Sequence, residues 1–247
     1  MNKLIKICID NFKKNWINIH FRNKKKAIYT VLIGDYDQLW EPKYVTENWD
    51  YICFTDCSSL RSSVWDVRLI NTGETLDPVR LNRKYKIQFY KYLASYDITI
   101  YVDANIEILK DLDAFLFARL KSKFPMSLPA HPERNCIYDE SNVCIERKKD
   151  NIDLISRQVE GYRKSGLPKG YGLTSNGIII RRNGNTQLYD LMDRWYCEVL
   201  KNSYRDQLSL SYVVWKTGFK GIHCFNFYGI FDYLTIHPHL NESHDGK

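Results

Sequence analysis

Ile98-Thr99-Ile100-Tyr101-Val102-Asp103-Ala104-Asn105-Ile106-Glu107-Ile108 is the stretch on which the reading of this chain turns. Ile98 to Val102 is an apolar run rich in β-branched and aromatic residues, as a buried strand requires. Asp103 and Asn105 follow at i and i+2, which an extended chain turns to one side. Two hard oxygen donors at a strand's carboxyl end suit Mg2+ or Mn2+, which prefer carboxylate, carbonyl and water and bridge to phosphates. In open α/β sheets, ligands collect outside the carboxyl ends of the strands. Two readings stand at this point: a metal–diphosphate site, or a strand closed by an Asx turn.

Upstream, Ala27 to Ile33 is a second strand, closed by Gly34-Asp35-Tyr36-Asp37. As the first strand of an α/β unit, its exit loop would face a nucleotide, and Gly-Asp is equally a plain turn signal. Tyr51 to Asp56 repeats the pattern of strand then acid, and Trp65 to Ile70 reads as a third strand. From Val79 to Tyr96, Leu81, Tyr85, Phe89, Tyr92 and Tyr96 recur at helical spacing, with Arg80, Arg83 and Lys86 among the basic residues between them. A basic helix placed just before the Asp103 strand could deliver Arg83 and Lys86 to a diphosphate, Arg as a planar fork and Lys as a point charge. The competing reading is a solvated helix face.

Downstream, Leu109 to Lys121 and Ile145 to Ser165 read as helices, and Phe124 to Ala130 as a strand at a sheet edge. His131-Pro132-Glu133-Arg134-Asn135-Cys136-Ile137-Tyr138-Asp139-Glu140 is polar and irregular, an active-site loop entering a helix. Gly170 to Gly177 is turn-rich and leads into the strand Ile178 to Ile180. Gly177 would admit a sugar or backbone closely, or serve a bulge. Thr186 to Lys201 is an amphipathic helix, and Ser203 is a candidate N-cap that puts Arg205, Asp206 and Gln207 in the first turn of the next one. An acid there also serves the helix dipole. The tail carries His237 and His239. Repeated strand–helix alternation implies an α/β fold with a mainly parallel sheet. Three segments result: a basic amphipathic segment 1–26, a domain 27–240 and a polar tail 241–247.

Charge narrows the partners. Residues 1–26 hold Lys3, Lys6, Lys13, Lys14, Arg22, Lys24, Lys25 and Lys26 against one acid, Asp10, which accounts for the whole formal net charge of +7. The body is neutral, which argues against a nucleic-acid-binding face. Leu4, Ile5, Ile9, Phe12, Trp16 and Ile19 approximate one helical face of the basic segment, the composition of a helix lying on anionic lipid; a solvated arm or a helix packed on its own domain are the other readings. Seven scattered cysteines lack zinc-ligand spacing and fit a reducing, cytoplasmic setting. The lipid reading of the basic segment would place the protein peripherally on the inner face of the membrane. There is no apolar run of the roughly 18–20 residues needed to span a bilayer. Walker, Rossmann, zinc-protease and hydrolase-elbow motifs are absent from the sequence.

In order, the Gly34-Asp35 loop, the basic helix, Asp103-Ala104-Asn105, Ser175-Asn176-Gly177, Arg205-Asp206-Gln207 and a late His resemble a GT-A glycosyltransferase, a single Rossmann-like nucleotide-sugar-binding domain. More closely, the chain resembles a glycosyltransferase-like family long catalogued as a domain of unknown function, found in bacterial polysaccharide loci and in plant mucilage synthesis. Arg80-Leu81-Asn82-Arg83-Lys84-Tyr85-Lys86, Tyr101 to Ile106, His131 to Glu140 and Arg205 to Leu208 carry that likeness, which spans roughly residues 27–240. It implies transfer of a sugar, a hexose foremost, from a nucleotide-sugar donor (a UDP-sugar favoured) to a glycan or lipid-linked glycan acceptor. It also implies a donor site of Gly34, Asp35, Tyr36, Arg80, Arg83, Lys86, Asp103, Arg134, Asn176 and Gly177. Mn2+ or Mg2+ would sit on Asp103, Asn105 and His237 or His239. Arg205, Asp206 and Gln207 would lie beneath the sugar, with Glu140 and His131 also in catalytic roles, and the fold analogy points to retention. One departure is Asn105, which stands where the usual Asp-x-Asp has its second acid and lowers the site's charge. Two competing functions are a metal-dependent sugar-nucleotide hydrolase or phosphoesterase and a catalytically silent glycan-binding subunit.

Overall fold

The computed structural model describes residues 21, 23–34, 36–70, 73, 76–121 and 123–240. A seven-stranded sheet in the order β3-β2-β1-β4-β7-β6-β8 forms its centre. The strands are β1 (Lys26–Leu32), β2 (Trp49–Thr55), β3 (Asp66–Leu69), β4 (Ile98–Val102), β6 (Met126–Pro129), β7 (Ile178–Arg182) and β8 (Ile222–Phe225). β1, β2, β3 and β4 run parallel, β7 is antiparallel to β4 and β6, and β6 runs parallel to β8. The sheet is therefore mainly parallel, in a Rossmann-like mixed α/β arrangement. β6 lies inside the sheet, between β7 and β8, and not at its edge; Pro129 comes after its last pairing with β7 and costs that ladder nothing. A second, two-stranded sheet pairs β5 (Ile106–Ile108) antiparallel with β9 (Leu234–Ile236).

Six helices are described: α1 (Pro78–Ile87), α2 (Leu112–Arg119), α3 (Ile137–Glu146), α4 (Ile152–Lys164), α5 (Thr186–Lys201) and α6 (Asp206–Thr217). α1 is shorter than the periodicity of 79–96 implies: it ends at Gln88 and passes into a 3-10 turn, Phe89–Lys91. The aromatic spacing survives that break because Tyr85 and Tyr92 still stack, with ring centroids 4.1 Å apart. One core face gathers Tyr29, Phe89, Tyr101, Leu191 and Trp195; the other gathers Ile28, Ile100, Phe115 and Ile180. A smaller cluster under α3, α4 and α6 holds Tyr138, Ile155, Tyr162 and Leu208. No helix among the described residues is long and apolar enough to cross a membrane.

Most of the basic segment 1–26, and the whole tail 241–247, lie outside the described residues. The segment's last residues belong to the domain: Phe21 packs in the core, and Lys26 opens β1, buried against Asp113 Oδ1 at 2.7 Å.

Candidate donor site at the strand ends

Four pieces of chain meet at the carboxyl edge of β1 and β4. α1 supplies Arg83 and Lys86, three residues apart and so on one face. Its start is fixed by Asp77, whose side chain accepts the Arg80 N–H at 2.9 Å, with Pro78 in the first turn. β4 supplies Tyr101, and Asp103 follows its last residue, Val102. β7, running the other way, brings Thr174, Asn176 and Gly177 to the same rim, where Gly177 O accepts the Asp103 N–H at 2.9 Å. α6 begins at Asp206.

Asp206 is the hub of this group. It is 4% exposed, and its Oδ2 lies 2.8 Å from Lys86 Nζ and 3.1 Å from Arg83 Nε. Asn176 Nδ2 donates to its Oδ1 at 3.2 Å, and Thr174 Oγ1 in turn donates to Asn176 Oδ1 at 2.8 Å. Burial pushes the Asp206 carboxyl up, but Lys86 and Arg83 outweigh it and hold the group down at about 2. Its place in the first turn of α6 adds the favourable end of the helix dipole. Asp206 is thus a fixed anion that aligns two cations and has no proton to trade near neutrality.

Asp103 completes the group. Tyr101 OH donates to Asp103 Oδ1 at 2.7 Å, and Lys86 Nζ lies 3.4 Å from the same oxygen. Its side chain is 35% exposed, so this carboxylate reaches the rim. Gly177 makes room for it: a Cβ there would sit 2.8 Å from Asp103 Oδ2. Gln207 is anchored by donating from Nε2 to Thr174 O at 3.2 Å.

The metal set expected from Asp103, Asn105, His237 and His239 does not converge. Residues 103–106 form a turn, Ile106 N–H donating to Asp103 O at 3.0 Å, so the alternation that would put Asp103 and Asn105 side by side is lost. Asn105 is buried and donates from Nδ2 to His237 O at 2.7 Å, fastening β9. His237 Nε2 meets Glu107 Oε2 at 3.0 Å and its ring stacks 3.5 Å from Trp40, while His239 Nδ1 meets Asp37 Oδ2 at 2.8 Å. Among the described residues no three His, Cys, Asp or Glu side chains gather as metal ligands. These donors do not fit a protein-held Mn2+ or Mg2+ ion in this arrangement.

Other expected donor contacts are spread out. Gly34, at φ +68°, turns the chain after β1 and donates its N–H to Asp56 Oδ1 at 3.0 Å. Asp35 lies outside the described residues, and Tyr36 is exposed, its ring tilted against His239. Arg80 belongs to the scaffold: it donates to Val199 O, Asn202 O and Asp77 Oδ2, satisfying carbonyls at the end of α5.

His131, Arg134 and Glu140 form a neighbouring group with Cys144 and Arg205. Arg134 Nε donates to Glu140 Oε2 at 2.7 Å, and the Cys144 thiol to Glu140 Oε1 at 3.7 Å. His131 Nδ1 accepts the backbone N–H of Glu133 and Arg134, at 3.2 and 3.0 Å, so the ring staples its own loop. Burial holds its pKa below the usual histidine range, with Arg134 acting the same way and Glu140 and Glu133 opposing. His131 N–H also donates to Leu173 O, and Ser175 N–H to Pro129 O, which ties this loop to the approach to β7. Arg205 occupies the N-cap position of α6 without a side-chain capping bond and turns toward Cys144, so Arg205 and Asp206 are consecutive residues serving the two groups. Ser203, the expected cap, instead donates from Oγ to Asp150 Oδ2 at 2.6 Å.

Tyr101 lies inside the Tyr101 to Ile106 stretch but has no role assigned there, and Thr174 belongs to no motif. Tyr101 stands two before Asp103, which an extended strand turns to the same side, so alternation could have found it. Nothing in the local sequence marks Thr174.

A family model described as the TOD1/MUCI70, glycosyltransferase-like domain matches residues 57–234. The chain belongs to that family. The match takes in α1, β4, the approach to β7 and the start of α6, so Arg83, Lys86 and Asn176, the partners of the Asp206 carboxylate, all lie inside the TOD1/MUCI70 domain. The first strand and its Gly34 turn precede it. No curated protein matches the chain.

Proposed function

We propose that this TOD1/MUCI70 domain is a GT-A transferase that moves a hexose, with retention, from a nucleotide sugar, a UDP-sugar foremost, to a glycan or lipid-linked glycan acceptor in bacterial surface polysaccharide synthesis. The observation that carries the reading is Asp206 holding Lys86 and Arg83 side by side at the carboxyl ends of the strands, next to the half-buried Asp103 carboxylate. Transfer develops positive charge on the sugar and negative charge on the departing diphosphate. Lys86 and Arg83 are prealigned cations for that negative charge, in a buried setting where such groups act strongly.

Retention accords with the engagement of the candidate bases among the described residues: Asp103 accepts from Tyr101 and faces Lys86. Asp206 is held at about 2, Glu140 is ion-paired to Arg134, and His131 Nδ1 accepts two backbone N–H groups. In a retaining step the acceptor hydroxyl bonds to the anomeric carbon as the bond to the diphosphate breaks, and the leaving phosphate takes the hydroxyl proton. The divergent metal donors give no reason to route a step through a divalent ion.

The test is a panel of UDP-, GDP-, CMP- and dTDP-sugars followed by thermal shift and by sugar transfer to candidate glycans. A UDP-sugar should stabilise the wild type, and K86M should lose that stabilisation. No response to any nucleotide sugar refutes the reading; release of sugar independent of acceptor replaces transfer with hydrolysis.

A further inference from the structure

Arg181 is a buried cation that makes no ion pair with a carboxylate among the described residues; Asp206 acts on it only from a distance. It lies in β7, is 0% exposed and pairs in register with Thr99 and Met126. Its Nη1 donates to Tyr29 OH at 2.8 Å, and its guanidinium sits 4.5 Å from the Phe89 ring centroid. Nε and Nη2 have no acceptor among the described residues. A guanidinium keeps its charge in proteins, and an unpaired buried charge is costly.

Its neighbours lead to the rim. Tyr29 OH, which receives the Arg181 bond, itself donates to Lys86 O at 2.8 Å. The Tyr29 ring lies edge-on to Tyr101, 5.3 Å between centroids, and Lys86 Nζ sits 4.9 Å from the Tyr101 ring centroid. Arg181 therefore stands one layer beneath the Lys86–Asp206–Asp103 group. With Arg83 and Lys86 it makes three cations facing two carboxylates, an excess of one positive charge before any ligand arrives.

We propose that Arg181 is a positioning residue of the donor site, a third cation below the floor that makes the site select the diphosphate of its ligand and supports Lys86 from beneath through Tyr29. This rests on the donor reading given under Proposed function. A buried arginine kept for packing alone is replaceable by an apolar residue of similar volume, often with no loss or a gain of stability. Charge kept for a ligand is told apart by binding and not by stability: removing it weakens anion binding while the fold stays at least as stable.

The experiment is calorimetric titration of the full chain with UDP and with uridine, for wild type, R181M, R181Q and R181K, alongside thermal denaturation. R181M and R181Q should bind UDP about tenfold more weakly, the effect of one charge acting across roughly 10 Å of protein. Uridine affinity and the melting temperature should hold, and R181K should recover most of the UDP affinity. Unchanged UDP affinity in both neutral variants overturns the inference and leaves the donor site standing. A parallel loss for UDP and uridine overturns it too, as does folding of R181K but neither neutral variant. Wild type without affinity for UDP removes the donor reading itself, and this inference with it.

Discussion

Replacing Asp206 by Asn keeps the shape of the hub and removes its charge. Two cations then share no buried carboxylate, although Asp103 still lies 3.4 Å from Lys86. Breaking a buried pair by removing one partner costs about 3–5 kcal/mol, and the residual Asp103 contact argues for the lower end. For a chain of 247 residues, about 3 kcal/mol lowers the melting temperature by roughly 6–12 °C. The pH dependence gives a second readout. The Asp206 carboxyl is depressed in the folded chain, from 3.8 to about 2, so its contribution is fully present above about pH 4 and fades as pH falls through 2. A depression of that size corresponds to about 2–3 kcal/mol at neutral pH. Wild type and D206N compared by urea denaturation between pH 7 and pH 2 should therefore differ most at neutrality, and the gap should close below pH 4. A variant as stable as wild type at pH 7, or a gap indifferent to pH, refutes the view of Asp206 as an ionised hub.

Gly177→Ala drives a Cβ to 2.8 Å from Asp103 Oδ2, so UDP affinity should fall about tenfold while stability drops by about 1–3 kcal/mol, seen by titration and denaturation. Arg80→Ala should cost about 1–3 kcal/mol through the loss of its bonds at the end of α5, with UDP affinity unchanged; a weakened affinity would return Arg80 to the donor site. His131→Ala strands two backbone N–H groups and should cost about 1–2 kcal/mol, whereas H131N, which keeps an acceptor near that position, should lose less. The same histidine is depressed by burial, so its contribution is full above about pH 6.5 and declines below it; H131A should lack that decline in a pH series of melting curves.

The parts of this fold that depend on local pattern are legible in the sequence. β1, β2, β4 and β7 follow from apolar runs, and α5 from its helical spacing, because each buries the side chains that define it. β8 and β9 escape detection: they are short, and their stability comes from partners far along the chain, Met126–Pro129 and Ile106–Ile108. The site divides the same way. Arg83, Lys86, Asp103, Asn176, Gly177, Asp206 and Gln207 stand out by chemistry and are brought together. Arg80, Asn105, His237 and His239 stand out equally, yet each is engaged in holding the framework or its carboxy-terminal end. Side-chain chemistry names candidates; which bond each one makes depends on pairings that no local spacing encodes.

The reversal of β7 bears on how this rim can vary. Loops that leave parallel strands at this edge can lengthen without disturbing the ladder behind them. The peptide before Ile178 has no such freedom, because Gly177 O is already bonded to Asp103 N–H and Val102 pairs with Ile178. Losing one residue between Ser175 and Ile178 would slide the register and turn Ile178, Ile179 and Ile180 over to opposite faces of the sheet. Length variation among kindred chains should accordingly accumulate elsewhere on the rim and spare this crossing.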